Sequence, residues 1–142
     1  MGWVYTSYAP KAASAATAGL TAQDYIDIEQ NYARFYQAYD NSDAVVWADT
    51  FADDGEFNGV KGRAALIKDR SVAPLKVRHV MSQLVITPTA EGVSTSHYAF
   101  VFDPQVVPLK VNSFSRYNDT LVKTAKGWRF KTKIHSSDTT IK

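Results

Sequence analysis

The chain has 142 residues, 45% of them apolar and 13% aromatic, with a formal net charge of +2. That size fits one domain with a real core and leaves no room for a separate cofactor-binding domain. The Lys and Arg residues are scattered and never form the basic stripe that nucleic-acid binding needs, while zero cysteines exclude disulfides, thiolate zinc sites and a cysteine nucleophile.

No run approaches the roughly 18 apolar residues of a membrane span. The small-residue stretch from Ala12 to Gly19 has the flavour of a signal-peptide tail. The charged start and unbroken apolar core of such a peptide are missing. Residues 1–19 therefore read as a flexible arm, and the compartment as cytoplasmic, or periplasmic or secreted if the arm is the remnant of a signal.

Thr21 and Asp24 form a capping pair, after which Tyr25, Ile28, Tyr32, Phe35, Tyr36 and Tyr39 recur at three- and four-residue steps. This predicts a helix of about five turns with one aromatic-rich face. A short second helix is predicted from a Ser42 cap through Val45, Val46 and Phe51. Ala52-Asp53-Asp54-Gly55 reads as a turn, Glu56 to Asn58 as a short strand, and Arg63 to Asp69 as a third helix. The second half switches to period two: Val77–Thr87, Val93–Asp103, Val111–Lys123 and Trp128–Ser136 are long strands rich in Val, Phe, Tyr and Thr. Glu91-Gly92 and Lys126-Gly127 mark tight hairpins, and Pro104 and Pro108 bracket a longer connection. Helices first and strands after predict an α+β domain. Its antiparallel sheet, strongly curved and closed by the helices, makes a cone over residues 20–136, with 137–142 as a tail.

The phrase Tyr32-Ala33-Arg34-Phe35-Tyr36-Gln37-Ala38-Tyr39-Asp40, then Trp47, then Phe51-Ala52-Asp53-Asp54-Gly55-Glu56-Phe57, resembles the opening of SnoaL-like proteins of the nuclear-transport-factor-2-like superfamily. Arg78-His79, Leu84-Val85-Ile86 and Gly127-Trp128-Arg129-Phe130-Lys131 continue the resemblance, which runs from about Leu20 to Ser136. That superfamily houses enzymes, binding modules and structural subunits, so fold alone names no activity.

In the branches typified by scytalone dehydratase and hexachlorocyclohexane dehydrochlorinase, a pocket Asp lies near a strand His. The matching positions here are Asp40 and His79, and Tyr39 matches the dehydratase's tyrosine. Without the resemblance, Asp40 would read as a helix-to-helix cap. His79 shares a strand face with Val77, Met81 and Val85, where a lone His is ordinarily a satisfied core residue; a facing carboxylate fixes its tautomer and favours its charged form. His97 reads as the weaker candidate. If the two middle strands form a hairpin, His79 lies opposite residues near Val101, and His97 is then on the order of 13 Å along. Asp103 stands closer, at about the place of the dehydratase's second pocket histidine, a departure that argues against scytalone itself. Lys133 sits near where the dehydrochlorinase family places a strand cation, although the alternation Arg129, Lys131, Lys133 ordinarily marks a solvated face. Tyr36, Trp47 and Phe57 are pocket-wall candidates, each with ordinary core packing as the alternative. His135 reads as solvated. Three separated histidines show no metal-ligand spacing, and no glycine-rich phosphate loop, dinucleotide fingerprint or nucleophile elbow is present.

The expectation is a cofactor-independent lyase or isomerase acting on a small, largely apolar, aromatic or polycyclic molecule. Dehydration, dehydrohalogenation, aldol-type cyclisation, ketosteroid-type isomerisation and retro-aldol loss of formaldehyde all fit. The rivals are a non-catalytic ligand-binding domain and a structural subunit resembling the small subunit of ring-hydroxylating dioxygenases. Apolar residues on both sheet faces, including Tyr98, Phe100, Phe102 and Phe114, predict a homodimer or homotrimer.

Overall fold

The computed structural model describes residues 19–140. Helix α1 spans Ala22–Asn41 and begins with a full capping box: Thr21 Oγ1 accepts from the Asp24 backbone N–H at 3.2 Å, and the Asp24 carboxylate accepts from the Thr21 N–H at 2.9 Å. Asp24 also receives Lys123 Nζ at 2.7 Å and the Trp128 indole N–H at 2.9 Å. These donors, Lys123 first, hold its carboxyl well below the usual range. One side chain thus caps the helix and ties it to the last hairpin of the sheet.

Ser42 ends α1 in the left-handed conformation, with φ 54°. The short helix α2, Ala44–Ala48, is capped by Asp43, whose carboxylate accepts from the Val46 N–H at 3.2 Å. The expected Ser42 cap is therefore one residue early: Ser42 is occupied in closing α1. Phe51 lies beyond α2, in strand β1, Phe51–Phe57. The stretch expected to turn, Ala52 to Gly55, belongs to this strand, where the pairing slips between Phe51 and Glu56. Gly55 explains the difference. A Cβ there would lie 2.8 Å from the Phe130 carbonyl oxygen, so the glycine serves a close backbone approach within the sheet.

Strand β2 (Val60–Lys61), helix α3 (Arg63–Arg70) and strands β3 (Arg78–Pro88), β4 (Val93–Phe102), β5 (Val111–Thr124) and β6 (Gly127–Thr140) follow. The six-stranded sheet has the order β2-β1-β6-β5-β4-β3. It is mixed, because β1 pairs parallel with β6 while every other pair is antiparallel. The purely antiparallel expectation fails because a strand confined to Glu56–Asn58 is too short to reveal the partner of β6. Residues 137–140, expected in a tail, continue β6. The expected arm, apart from its last residue, lies outside the described residues.

The helices cover one face of the curved sheet. On that face Val93, Thr95, His97 and Ala99 of β4 and Ser115, Tyr117, Asp119 and Leu121 of β5 are buried in strict alternation. Phe35 of α1 is the hub, its ring within 5.0–5.9 Å of the rings of Tyr36, Tyr39, Trp47, Phe51, Phe57 and Phe130. Two irregularities reset the alternation. In β3 the register shifts between Ser82 and Val85, with Gln83 at φ 49°. Leu84 and Ile86 consequently pack on the core and Val85 turns outward, 56% exposed, so His79 and Val85 do not share a face. In β6 the register shifts where Thr120 pairs with Thr132 but Leu121 with Phe130, which makes Lys131 the extra residue. Trp128 and Phe130 point inward before this bulge, and Lys133 after it. Among the described residues, no helix is long and apolar enough to cross a membrane.

Candidate active site

Asp40 occupies the last turn of α1, 4% exposed, and His79 is the second residue of β3. His79 Nδ1 lies 2.6 Å from Asp40 Oδ1, and the His79 backbone N–H donates to Asp40 Oδ2 at 3.0 Å. A carboxylate only accepts, so Nδ1 carries a proton and Nε2 is the nitrogen left for another partner. Both Asp40 oxygens grip the same residue, which fixes the ring's orientation as well as its tautomer. Tyr36 stacks on the imidazole at 5.6 Å, and Tyr39 meets it edge-on at 5.4 Å. His79 and Tyr36, with Met81, Tyr32, Gln30 and Gln37, line a cleft of about 360 Å³ between α1 and the edge strand β3. That volume suits a small molecule.

Behind Tyr36 lies a second polar group, sealed from water. The Tyr36 hydroxyl is 2.6 Å from His97 Nε2, and the His97 ring stacks on Tyr117 at 4.7 Å. His97 Nδ1 has no hydrogen-bond partner; the nearest carboxylate oxygen, Asp119 Oδ2, is 3.6 Å away. Asp119 instead accepts from Lys133 Nζ at 2.8 Å, Tyr32 Oη at 2.7 Å and the Ile134 N–H at 3.3 Å. Burial, helped by the Lys133 charge, drives the His97 imidazolium down to about 2, so the ring is neutral. Burial also pulls Lys133 down to about 8 against the opposing pull of Asp119, and pushes Asp119, Tyr32, Tyr36 and Tyr117 upward. Five aromatic rings surround the Lys133 ammonium at 4.3–5.4 Å, those of Tyr32, Phe35, Tyr36, Tyr117 and Phe130.

The structure brings Asp40, His79, Tyr39 and Tyr36 together. The other expected residues do not line the cleft beside His79. Trp47 is fully buried among Phe35, Tyr39, Phe51 and Phe57, a core residue, and Phe57 is half-buried in the same cluster. Asp103 opens the 103–110 connection and its carboxylate is engaged in a turn, accepting from the Gln105 N–H at 2.9 Å. Lys133 is not on a solvated face: the bulge at Lys131 turns it inward, while Lys131 pairs with Asp54 on the surface. His79 does lie opposite Val101, with His97 four residues along β4. Distance along the strand does not reveal that Tyr36 spans the gap, touching both rings. Asp119 is the residue that sequence reasoning missed, although a carboxylate at the inward phase of Ser115, Tyr117, Asp119 and Leu121 is a legible signal. His135 is exposed, its Nδ1 3.3 Å from Asn58 Nδ2. Among the described residues, no three His, Asp or Glu side chains converge to hold a metal ion.

A family model described as a SnoaL-like domain matches residues 21–133. The chain belongs to the SnoaL-like domain family. This family lies within the NTF2-like fold and includes polyketide cyclases and scytalone dehydratase-like enzymes. Among solved structures, an NTF2-like protein with a cystatin-like fold from Novosphingobium aromaticivorans is 20% identical, with a TM-score of 0.73 and 82% of each chain covered. Aln2 from a Streptomyces species is 25% identical, with a TM-score of 0.71, covering 84% of this chain and 93% of that one. A scytalone dehydratase-like protein from Novosphingobium aromaticivorans is 19% identical, with a TM-score of 0.69, covering 84% of this chain and 87% of its own. No curated protein matches.

Proposed function

We propose that this SnoaL-like protein is a cofactor-independent lyase or isomerase that acts by general acid–base catalysis on a small, largely apolar, aromatic or polycyclic molecule. The reading is carried by the Asp40–His79 pair: a proton held on Nδ1 at 2.6 Å from the carboxylate leaves Nε2 as the free base of a residue that lines a cleft. His79 removes a proton from carbon or from a hydroxyl. Asp40 orients the ring and stabilises the imidazolium that forms. Tyr39 donates a hydrogen bond to the developing oxyanion or leaving group, and Tyr36 backs the imidazole. Such acid–base help supplies about 10²–10⁴-fold, with orientation and electrostatics adding to it.

The experiment is an assay of aryl, terpenoid and polyketide-like substrates with wild type, His79→Ala and Asp40→Asn, with and without chelator. Activity is expected to survive chelation and to collapse in both variants. Wild-type turnover in His79→Ala overturns the base assignment. Loss on chelation, restored by one specific ion, overturns cofactor independence.

We also propose that the outer sheet face joins copies of this chain. Tyr98, Phe100 and Phe114 form a ring cluster there at 5.0–5.1 Å, flanked by exposed Val80, Val85 and Ile134. Light scattering at micromolar concentration is expected to give a dimer or trimer, and a clean monomer mass refutes this.

A further inference from the structure

Arg70, the last residue of α3, is a buried cation without a counter-ion among the described residues. It is 6% exposed, and its Nε meets no hydrogen-bond partner. Nη2 donates to Ser42 Oγ at 3.2 Å, a hydroxyl that already donates to the Ala73 carbonyl. No carboxylate among the described residues pairs with the guanidinium. A charge taken out of water without a partner is costly, and a folded chain that keeps one is keeping it for something other than stability. Lys133, also buried, has its Asp119, so burial of a cation does not by itself leave it unpaired in this fold.

Its position says what it is kept for. The guanidinium carbon sits 4.5 Å above the centre of the Tyr39 ring, and that ring meets the His79 imidazole edge-on at 5.4 Å. These separations bound the distance from the guanidinium to the His79 ring at about 10 Å, the length of a two- or three-ring molecule. A guanidinium presents flat, forked donors that match a carboxylate or phenolate oxygen, and its charge is permanent.

We propose that Arg70 is the anchor for an acidic oxygen on the substrate, so that the natural ligand is an apolar ring system bearing one carboxylate or phenolate. This rests on the acid–base reading for the site but concerns recognition, and it is tested by binding alone. The ligand's anion supplies the missing counter-ion at Arg70, and the rest of its body reaches His79. Tyr39 lies between, stacked under the cation and edge-on to the base.

The probes are 2-naphthoate and its neutral counterpart 2-naphthamide, titrated calorimetrically into wild type, Arg70→Met, Arg70→Lys and His79→Ala. Wild type is expected to prefer the carboxylate by about tenfold or more, as a desolvated charge-assisted contact implies. Arg70→Met is expected to lose that preference while its amide affinity stays within about twofold, and Arg70→Lys to keep part of it, with the point charge but not the fork. The preference in His79→Ala should match wild type, which separates failure of the anchor from failure of the base. Thermal melting supplies the second readout. Removing an unpaired buried charge should leave the Arg70→Met midpoint unchanged or raised, whereas a merely structural arginine would lower it. Equal wild-type affinity for the two probes, no binding of either, a preference that survives Arg70→Met, or a destabilised Arg70→Met each overturns the proposal.

Discussion

Among the described residues there are two Asp–His neighbours, one from each of two regions, and the difference between them separates the proposed working group from a structural one. Asp40 and His79 come from α1 and β3, touch at 2.6 Å, and line a cleft. Asp119 and His97 come from adjacent inner-face strands, stand 3.6 Å apart, and are fully sealed. In the first pair the carboxylate is spent on the imidazole, which fixes the ring and leaves its other nitrogen clear of that carboxylate. In the second the carboxylate is spent on Lys133, and the imidazole is left neutral with one nitrogen unpartnered. Residue types are the same; access to water and the choice of partner decide the chemistry.

The largest expected effect breaks the cleft pair. His79→Ala should lower turnover about 10²–10⁴-fold, far more than it lowers thermal stability, whereas His97→Ala should lower thermal stability with turnover nearly kept. Equal activity losses in the two variants would erase the distinction. Next is the sealed pair. Lys133→Met strands a buried Asp119 and should cost about 3–5 kcal/mol of stability, measured by urea unfolding. Lys133→Met combined with Asp119→Leu should recover most of that, since an apolar replacement of a buried ion pair is near neutral.

A smaller effect follows from the depressed His97. Its ordinary value of 6.5 applies to the unfolded chain and about 2 to the folded one. Below pH 6.5 the unfolded state therefore binds the extra proton, and stability falls as pH falls. The slope attributable to His97 approaches about 1.4 kcal/mol per pH unit. Urea midpoints between about pH 4.5 and 6.5, in wild type and His97→Gln, should differ by that slope; parallel curves would show the ring is not buried neutral. The smallest test concerns the link between the pairs. Tyr36→Phe removes the 2.6 Å bond to His97 and should cost about 1–3 kcal/mol of stability through the His97 nitrogen left dry. Turnover reduced less than about tenfold would mean the two pairs work independently.

Much of the scaffold is legible in the sequence because its signals are local. The Thr21–Asp24 capping box, the aromatic stripe of α1 and the four long strands each depend on residues a few places apart. Asp40 and His79 can be named from local phrases that resemble a family, and the hairpin register places His79 opposite Val101. What escapes depends on events at a distance or on a changed phase. The parallel β1–β6 pairing joins segments far apart in the chain, Phe51 with Phe130, and Gly55 reads as a turn until Phe130 is seen beside it. Bulges at Gln83 and Lys131 invert the alternation that a period-two reading carries straight through, which puts Val85 inside and Lys133 outside when both are the other way round. Arg70 gives no signal, since a helix-terminal arginine is ordinarily solvated and nothing in its neighbourhood tells that it is dry.

The extra residue in β6 also ranks the constraints on that strand. Lys131 itself is partly exposed, with 41% of its side chain accessible, and a same-length replacement there should be well tolerated. Deleting it closes the bulge without disturbing the ladder: Phe130 still faces Leu121, Thr132 still faces Thr120 and Lys133 still faces Asp119. Removing Thr132 as well is another matter, because Lys133 would then follow Phe130 directly, turn to the opposite face and leave the Asp119 carboxylate without its ammonium. Across variants of this chain, the segment between Phe130 and Lys133 should therefore lose one residue readily and two never.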